Sequence, residues 1–403
     1  PIGYVRWTER RNLEAFLELA RGDALRLSEL ITHRFSIDRA AEAYGLLADD
    51  REASLAILID YPAAGDVAAA KPPRTLPLRP PRDARFGVGF VGAGGFARAV
   101  LLPNVRAERD VALRAVVTRH GLTAKTIGDR FGFERATTDR REVLEDPSVD
   151  VLFVAGPNST HGPEVVAALG AGKHVFVEKP LCLRLEELEE IESAVRAAPD
   201  RLLMVGFNRR FAPATSWVSQ HFSAGGPEAI AIRVNAGPPP ASGWAADREG
   251  EGGRLLGEVC HFVDLASCLF GSAPTSVRAV RIGTATPDDV IATLEFAGGR
   301  VCTIAYLTVA SPRLPKEHIE VHGGGRTAVI DDFRSVTLYD RSRRRRGSRW
   351  STQDKGHRAE IRAFFAALRS GSPSPIPFDE SAATTRATIA IERAIREGGP
   401  VVV

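Results

Sequence analysis

Residues 86–97 read F-G-V-G-F-V-G-A-G-G-F-A, an apolar run of strand type that breaks into glycines and then opens a helical pattern. In this G-x-G-x-x-A turn, Gly92 permits the tight reversal and Gly94 lets the backbone approach a pyrophosphate. Gly95 and Phe96 complete the turn, and Ala97 allows the helix to pack closely, its free N–H groups facing an anion. A glycine-rich turn also serves in any α/β chain, so its surroundings decide. Working outward, apolar runs at 86–91, 112–118, 150–155, 174–178 and 202–206 alternate with helical patterns at 95–107, 122–132, 161–171 and 184–197. Such alternation predicts an α/β domain over residues 86–206, a doubly wound parallel Rossmann sheet whose glycine turn binds a dinucleotide.

At the end of the second strand, 24 positions after Gly94, stand Thr118 and Arg119. An NAD-selective site places an acid about 20 residues on, whereas a hydroxyl and a guanidinium suit a 2′-phosphate. The expectation is NADP or NAD, with NADP slightly favoured, against nearly equal weight for a surface arginine. Residues 154–161, V-A-G-P-N-S-T-H, put Pro157 and Asn158 at the carboxyl edge of the sheet, where ligands of such folds collect. His161 there is a cofactor-wall, capping or packing residue. Residues 172–181, G-K-H-V-F-V-E-K-P-L, end a buried strand with Glu178 and Lys179 and hold the exit with Pro180, which can take a cis bond. A surface ion pair would be the reading in isolation. Beside the glycine turn, Lys179 is expected near the nicotinamide and Glu178 against the cofactor.

Beyond about residue 208 the texture changes to longer alternating runs, A-I-A-I-R-V-N, V-I-A-T-L-E-F and V-C-T-I-A-Y-L, with glycine turns between them. They predict an α+β domain, residues 207–403, with a large open, mainly antiparallel sheet and helices over 355–370 and 381–397. Residues 251–271 form a glycine turn entering an amphipathic helix, with Glu258, His261 and Asp264 at i, i+3 and i+6. His261 can then neighbour either acid, as a general base or as a buried histidine with one satisfied hydrogen bond. No Cys/His/Asp set has zinc-site spacing, so no metal is expected.

Residues 1–65 hold two helical patterns, one capped by Ser36 or Asp38, and an apolar strand at 55–59; residues 66–85 carry prolines at 72, 73, 77, 80 and 81 and read as a linker. The chain begins at Pro1 and its only methionine is Met204, so a preceding segment is expected. In the 403 residues, 53 Lys and Arg against 50 Asp and Glu leave a net charge of +3, too little to imply a nucleic-acid or membrane-surface partner. The basic run at 341–350 reads as a solvated hairpin or loop. Four cysteines without C-x-x-C spacing suit reduced thiols in a cytoplasm, and no apolar run reaches the length of a membrane span.

G-A-G-G-F-A, G-P-N-S-T-H, A-G-K-H-V-F-V-E-K-P-L, V-G-F-N-R-R-F and G-G-R-L-L-G-E-V-C-H-F-V-D follow the order and spacing of the glucose-fructose oxidoreductase, inositol dehydrogenase and rhizopine catabolism family, Gfo/Idh/MocA. Residues 86–403 resemble it. The resemblance implies NAD(P)-dependent redox chemistry at a secondary alcohol of a sugar, nucleotide-sugar or cyclitol, in a homo-oligomer, dimer or tetramer. It implies Lys179 and His261 as catalytic residues, with Asn208, Arg209 and Asp264 toward the substrate. Many members carry Asp four residues before the histidine; here that place is Gly257, and Glu258 is the candidate replacement. An NAD-dependent glycosidase or eliminase using transient oxidation, and a non-catalytic nucleotide or sugar sensor, are the alternatives. Residues 3–20, 31–47 and 57–61 resemble instead the carboxyl end of a medium-chain, zinc-type alcohol dehydrogenase.

Overall fold

The computed structural model describes residues 8–22, 25–48, 53–61, 74–222, 226–238, 243–283, 288–341, 344–349 and 352–403, in two compact units, residues 1–73 and 74–403. Pro1 and the first part of the proline-rich stretch lie outside the described residues.

In the first unit, Thr8 caps the helix Glu9–Arg21 by accepting from the Arg11 N–H at 3.3 Å. The segment Ile31–Ser36 is a strand, β1, in addition to the one expected at 55–59. It pairs in parallel with β2, Ala56–Asp60. Neither Ser36 nor Asp38 starts an α-helix: Ile37–Arg39 makes a 3₁₀ turn, and the helix Ala40–Ala48 follows it.

The second unit contains two sheets. The strands of the first are β3 (Thr75–Pro77), β4 (Phe86–Val91), β5 (Val111–Val117), β6 (Arg135–Thr137), β7 (Val151–Val154), β8 (His174–Val177) and β9 (Leu203–Val205). Their order among the described residues is β3-β6-β5-β4-β7-β8-β9, parallel except for the β3 edge. Part of the expected linker is therefore sheet: Thr75–Pro77 pairs with β6, a short strand too brief to show a period, and Pro77 sits on the edge where its missing N–H is tolerated. Central β4 has β5 on one side and β7 on the other, so the strand order reverses at the glycine turn. That is where doubly wound sheets bind ligands.

The second sheet comprises β10 (Ala229–Asn235), β11 (Pro274–Arg281), β12 (Val290–Phe296), β13 (Arg300–Leu307), β14 (Glu317–Gly323), β15 (Arg326–Asp331), β16 (Ser335–Tyr339), β17 (Arg344–Arg349) and β18 (Val401–Val402). The order is β17-β16-β15-β14-β10-β13-β12-β11-β18. The sheet is mainly antiparallel, as expected, with one parallel pair, β10 and β13, between which the helix Cys260–Phe270 and two further strands intervene. The basic run ends in β17, an edge strand.

Two apolar cores result. The first fills the parallel sheet with residues such as Phe90, Phe153 and Phe176, and the second lies between the larger sheet and its helices. A boundary at residue 206 does not divide them cleanly. The helix His357–Ser370 returns to the parallel sheet, where the Phe364 ring lies 5.8 Å from Phe153 and 5.5 Å from Phe176. Burying each of these rings contributes about 1.5–3 kcal/mol, which holds the start of that helix, with Lys355 and Gly356 just before it, beside the carboxyl edge of the sheet.

Candidate active site

The glycine turn is built by backbone demand. Gly92 has φ +83°, and a Cβ there would lie 2.4 Å from the Gly156 N, so the ends of β4 and β7 meet only without side chains. A Cβ at Gly94 or Gly95 would meet nothing within 4 Å, and both line a cavity of about 520 Å³. Open backbone there, followed by a helical turn, fits a dinucleotide pyrophosphate. The turn after it is a π-helix over Ala97–Leu101, continued by Leu102–Arg106, rather than one regular helix.

On the opposite side of β4, His161 is buried and joins two backbone segments. Its Nδ1 lies 2.7 Å from the Pro180 O and its Nε2 3.2 Å from the Gly156 O. Burial lowers its pKa, and a neutral ring donates to only one of these carbonyls. Asn158 is fixed by its Nδ2 donating to the Glu251 O at 2.9 Å. Glu178 is 8% exposed, and burial raises its pKa to about 7 although Lys179 opposes the rise. The Lys179–Pro180 bond is cis.

Lys179 Nζ donates to the Gly257 O at 2.7 Å and stands 5.1 Å from the centre of the Trp244 ring. Gly257 has little room for anything larger, because a Cβ would lie 2.4 Å from Trp244 Cζ3. An indole face and a carbonyl thus hold this ammonium, and a side chain at 257 would displace the indole. His261 lines the same cavity, 8% exposed, its Nδ1 without a hydrogen-bond partner among the described residues. Burial, with Arg209 and Lys179 nearby, depresses its pKa well below 6.5 and keeps the imidazole neutral at physiological pH.

Among the described residues no carboxylate orients His261, contrary to the i, i+3 and i+6 expectation. Residues Leu255–Val259 form a π-turn that breaks the α-helical register on which the expectation rested. Glu258 Oε2 instead accepts from the Tyr306 hydroxyl at 2.9 Å and from Lys316 Nζ at 3.0 Å. Asp264 is fully buried and held by Arg210 Nε at 2.8 Å to each oxygen; it does not line the cavity and is not placed to touch substrate. Thr118 and Arg119 stand at the end of β5, also outside that lining, Thr118 donating to the His120 O at 2.8 Å. Pro157 is likewise not a lining residue, although its neighbour Asn158 is.

The structure also brings in residues that the motifs did not mark: Trp244, Lys316, Gln353, Lys355 and His357 line the cavity. Asn208 fixes Lys355 by donating from Nδ2 to its carbonyl at 2.8 Å. Arg209 grips Glu317 through Nε at 2.9 Å and Nη2 at 2.7 Å, and Lys355 reaches the same carboxylate at 2.6 Å. Burial opposes the charge on Glu317, but its two cations prevail and hold its pKa at about 2. Burial lowers the His357 pKa to about 4. Lys355 and His357 carry a local signal, D-K-G-H at 354–357, polar side chains clustered before a helix; Trp244, Lys316 and Gln353 carry none. Among the described residues no group of three or more His, Cys, Asp or Glu is placed to hold a metal ion, and no helix is long and apolar enough to cross a membrane.

Comparison with known proteins agrees with this architecture. Residues 86–207 match the GFO/IDH/MocA family, "Oxidoreductase family, NAD-binding Rossmann fold", and residues 223–329 match the "GFO/IDH/MocA C-terminal domain". Myo-inositol 2-dehydrogenase of Thermotoga maritima is 26% identical over 306 residues, 72% of this chain and 90% of that protein. Inositol 2-dehydrogenase of Acidothermus cellulolyticus is 33% identical over 214 residues, 51% of this chain and 60% of that protein. Levoglucosan dehydrogenase, solved in complex with NADH and L-sorbose, shares the fold at a TM-score of 0.71 and 23% identity, covering 79% of this chain and 98% of its own. With an NAD-binding sheet and the matching second domain on one chain, the protein belongs to the GFO/IDH/MocA oxidoreductase family.

Proposed function

We propose that this protein is an NAD(P)-dependent dehydrogenase or reductase acting on a secondary alcohol carbon of a sugar or cyclitol. The observation that carries the reading is the meeting of Gly94, Lys179 and His261 in one cavity, from three separated segments. The relatives named for inositol and levoglucosan support the substrate class. When bound, the dinucleotide supplies hydride exchange at its nicotinamide. The chain's part is to orient and to move a proton. Lys179 Nζ, held by the Gly257 carbonyl, donates a hydrogen bond to the reacting oxygen. His261, neutral, takes the hydroxyl proton in oxidation and returns it in reduction. Asn208 and Arg209 bound the substrate side, while Glu258 positions Lys316 rather than His261. Lys179→Ala is expected to lower kcat/KM by about 10²–10⁴ with NADH affinity nearly unchanged; turnover at the parental rate overturns the assignment.

Finer points belong to the same reading. Residues 86–206 and 207–403 form cofactor and substrate parts, with His357–Ser370 returning to the first. The exposed Arg119 where an acid would stand supports NADPH as the better cofactor, and titration of NADH and NADPH side by side tests it. Exposed Val280, Ile291 and Tyr339 on the larger sheet support a homo-oligomer, read directly by light scattering. Four free thiols suit a reducing cytoplasm. Residues 1–65, with β1 and β2 parallel across a helix, are read as the carboxyl end of a medium-chain dehydrogenase-like domain.

A further inference from the structure

We propose that the substrate is a sugar bearing an oxyanion group, received where Lys355 and Arg209 face the cavity; this rests on the dehydrogenase reading above.

The argument is one of charge balance. Among the described residues four cationic side chains line the cavity: Lys179, Arg209, Lys316 and Lys355. Lys316 is matched by Glu258 at 3.0 Å. Arg209 and Lys355 share a single carboxylate, that of Glu317, whose side chain is fully buried. Lys179 has no ion-pair partner among the described residues, only the Gly257 carbonyl and the Trp244 ring. Glu178 is the remaining acid in the lining. Even with that carboxyl ionised, the cavity wall keeps an excess of positive charge.

A second cation on Glu317 is not needed to satisfy it. The Arg209 guanidinium already meets both of its oxygens, and burying a further ammonium costs desolvation that half a carboxylate does not offset. The Lys355 side chain is 16% exposed and its only carboxylate partner among the described residues is already shared, so a negative group of the ligand completes its pairing. Trp244, 39% exposed in the same lining, offers a flat face to the C–H side of a ring. The volume, about 520 Å³, accommodates a nicotinamide and one monosaccharide-sized ligand.

The test uses the full chain with saturating NADH or NAD⁺. D-Glucuronate and D-glucose 6-phosphate are compared with D-glucose, and D-galacturonate with D-galactose, for binding by calorimetry and for kcat/KM. At least one anionic sugar is expected to exceed its neutral parent by about tenfold or more, the better anion telling carboxylate from phosphate. The ratio falls by about tenfold in Lys355→Met and is kept in Lys355→Arg, which retains the charge and controls for folding. A neutral sugar bound and oxidised as well as its anionic partner, an unchanged ratio in Lys355→Met, or no binding of either anion overturns the inference. In the first of those cases the dehydrogenase reading stands. Anionic sugars bound beside NADH but never oxidised support the charge assignment and overturn the dehydrogenase reading instead.

Discussion

The two walls of the cavity are made differently. The wall at the end of the parallel sheet is chiefly backbone: Gly94 and Gly95 with open space above them, on a turn that the positive φ of Gly92 permits, and His161 bridging two carbonyls. The wall toward the larger sheet is made of long charged side chains, Arg209, Lys316 and Lys355, from three separated segments and held by buried Glu317 and half-buried Glu258. Backbone presents hydrogen-bond donors that suit one constant ligand part, a pyrophosphate. Charged side chains can be exchanged singly, so that wall is where relatives with a common fold can differ in substrate.

The largest effect expected from breaking this contrast is at Glu317. Glu317→Gln leaves buried Arg209 and half-buried Lys355 without this counter-charge and is expected to destabilise the fold by about 3–5 kcal/mol in urea denaturation. A loss under 1 kcal/mol would show that water already screens the charged wall.

Between the walls lies Glu178. Its folded pKa, about 7, exceeds the unfolded value of 4.5. Its contribution to stability is therefore fully present below pH 4.5 and is lost as pH rises through 7, a difference of about 3 kcal/mol between the limits. Glu178→Gln removes that component, so the variant gains on the parent at pH 8 and not at pH 4. Equal gains at both pH values would mean that folding does not raise the Glu178 pKa.

The smallest expected change in stability tests the backbone wall. Gly94→Ala meets no atom within 4 Å, so stability shifts by less than about 0.5 kcal/mol while NADH affinity falls about tenfold or more. Unchanged affinity would place the pyrophosphate elsewhere.

The parallel sheet was legible because its signals are local. Gly92, Gly94 and Ala97 act through their own backbone, and apolar runs such as 174–178 mark strands that are buried on both faces. The Lys179 position followed from the same logic, as the residue after such a strand. Thr75–Pro77 and Arg135–Thr137 are not legible because three residues carry no period and, unlike Leu203–Val205, they form no apolar run. At the site, Glu258 and Asp264 were expected to serve His261 on helical spacing. The π-turn Leu255–Val259 and the stronger claims of Lys316 and Arg210 took them elsewhere.

The amino-acid sequence by itself determined the order of elements, the glycine turn and the strand that delivers Lys179, since each depends on residues adjacent in the chain. Only the tertiary structure decided which charges meet: that Arg209 and Lys355, 146 residues apart, share Glu317, and that Trp244 occupies the space beside Gly257. The reason is physical. Backbone conformation is set over a few residues, whereas Coulomb interaction in a buried site depends on distance in space and is indifferent to separation along the chain.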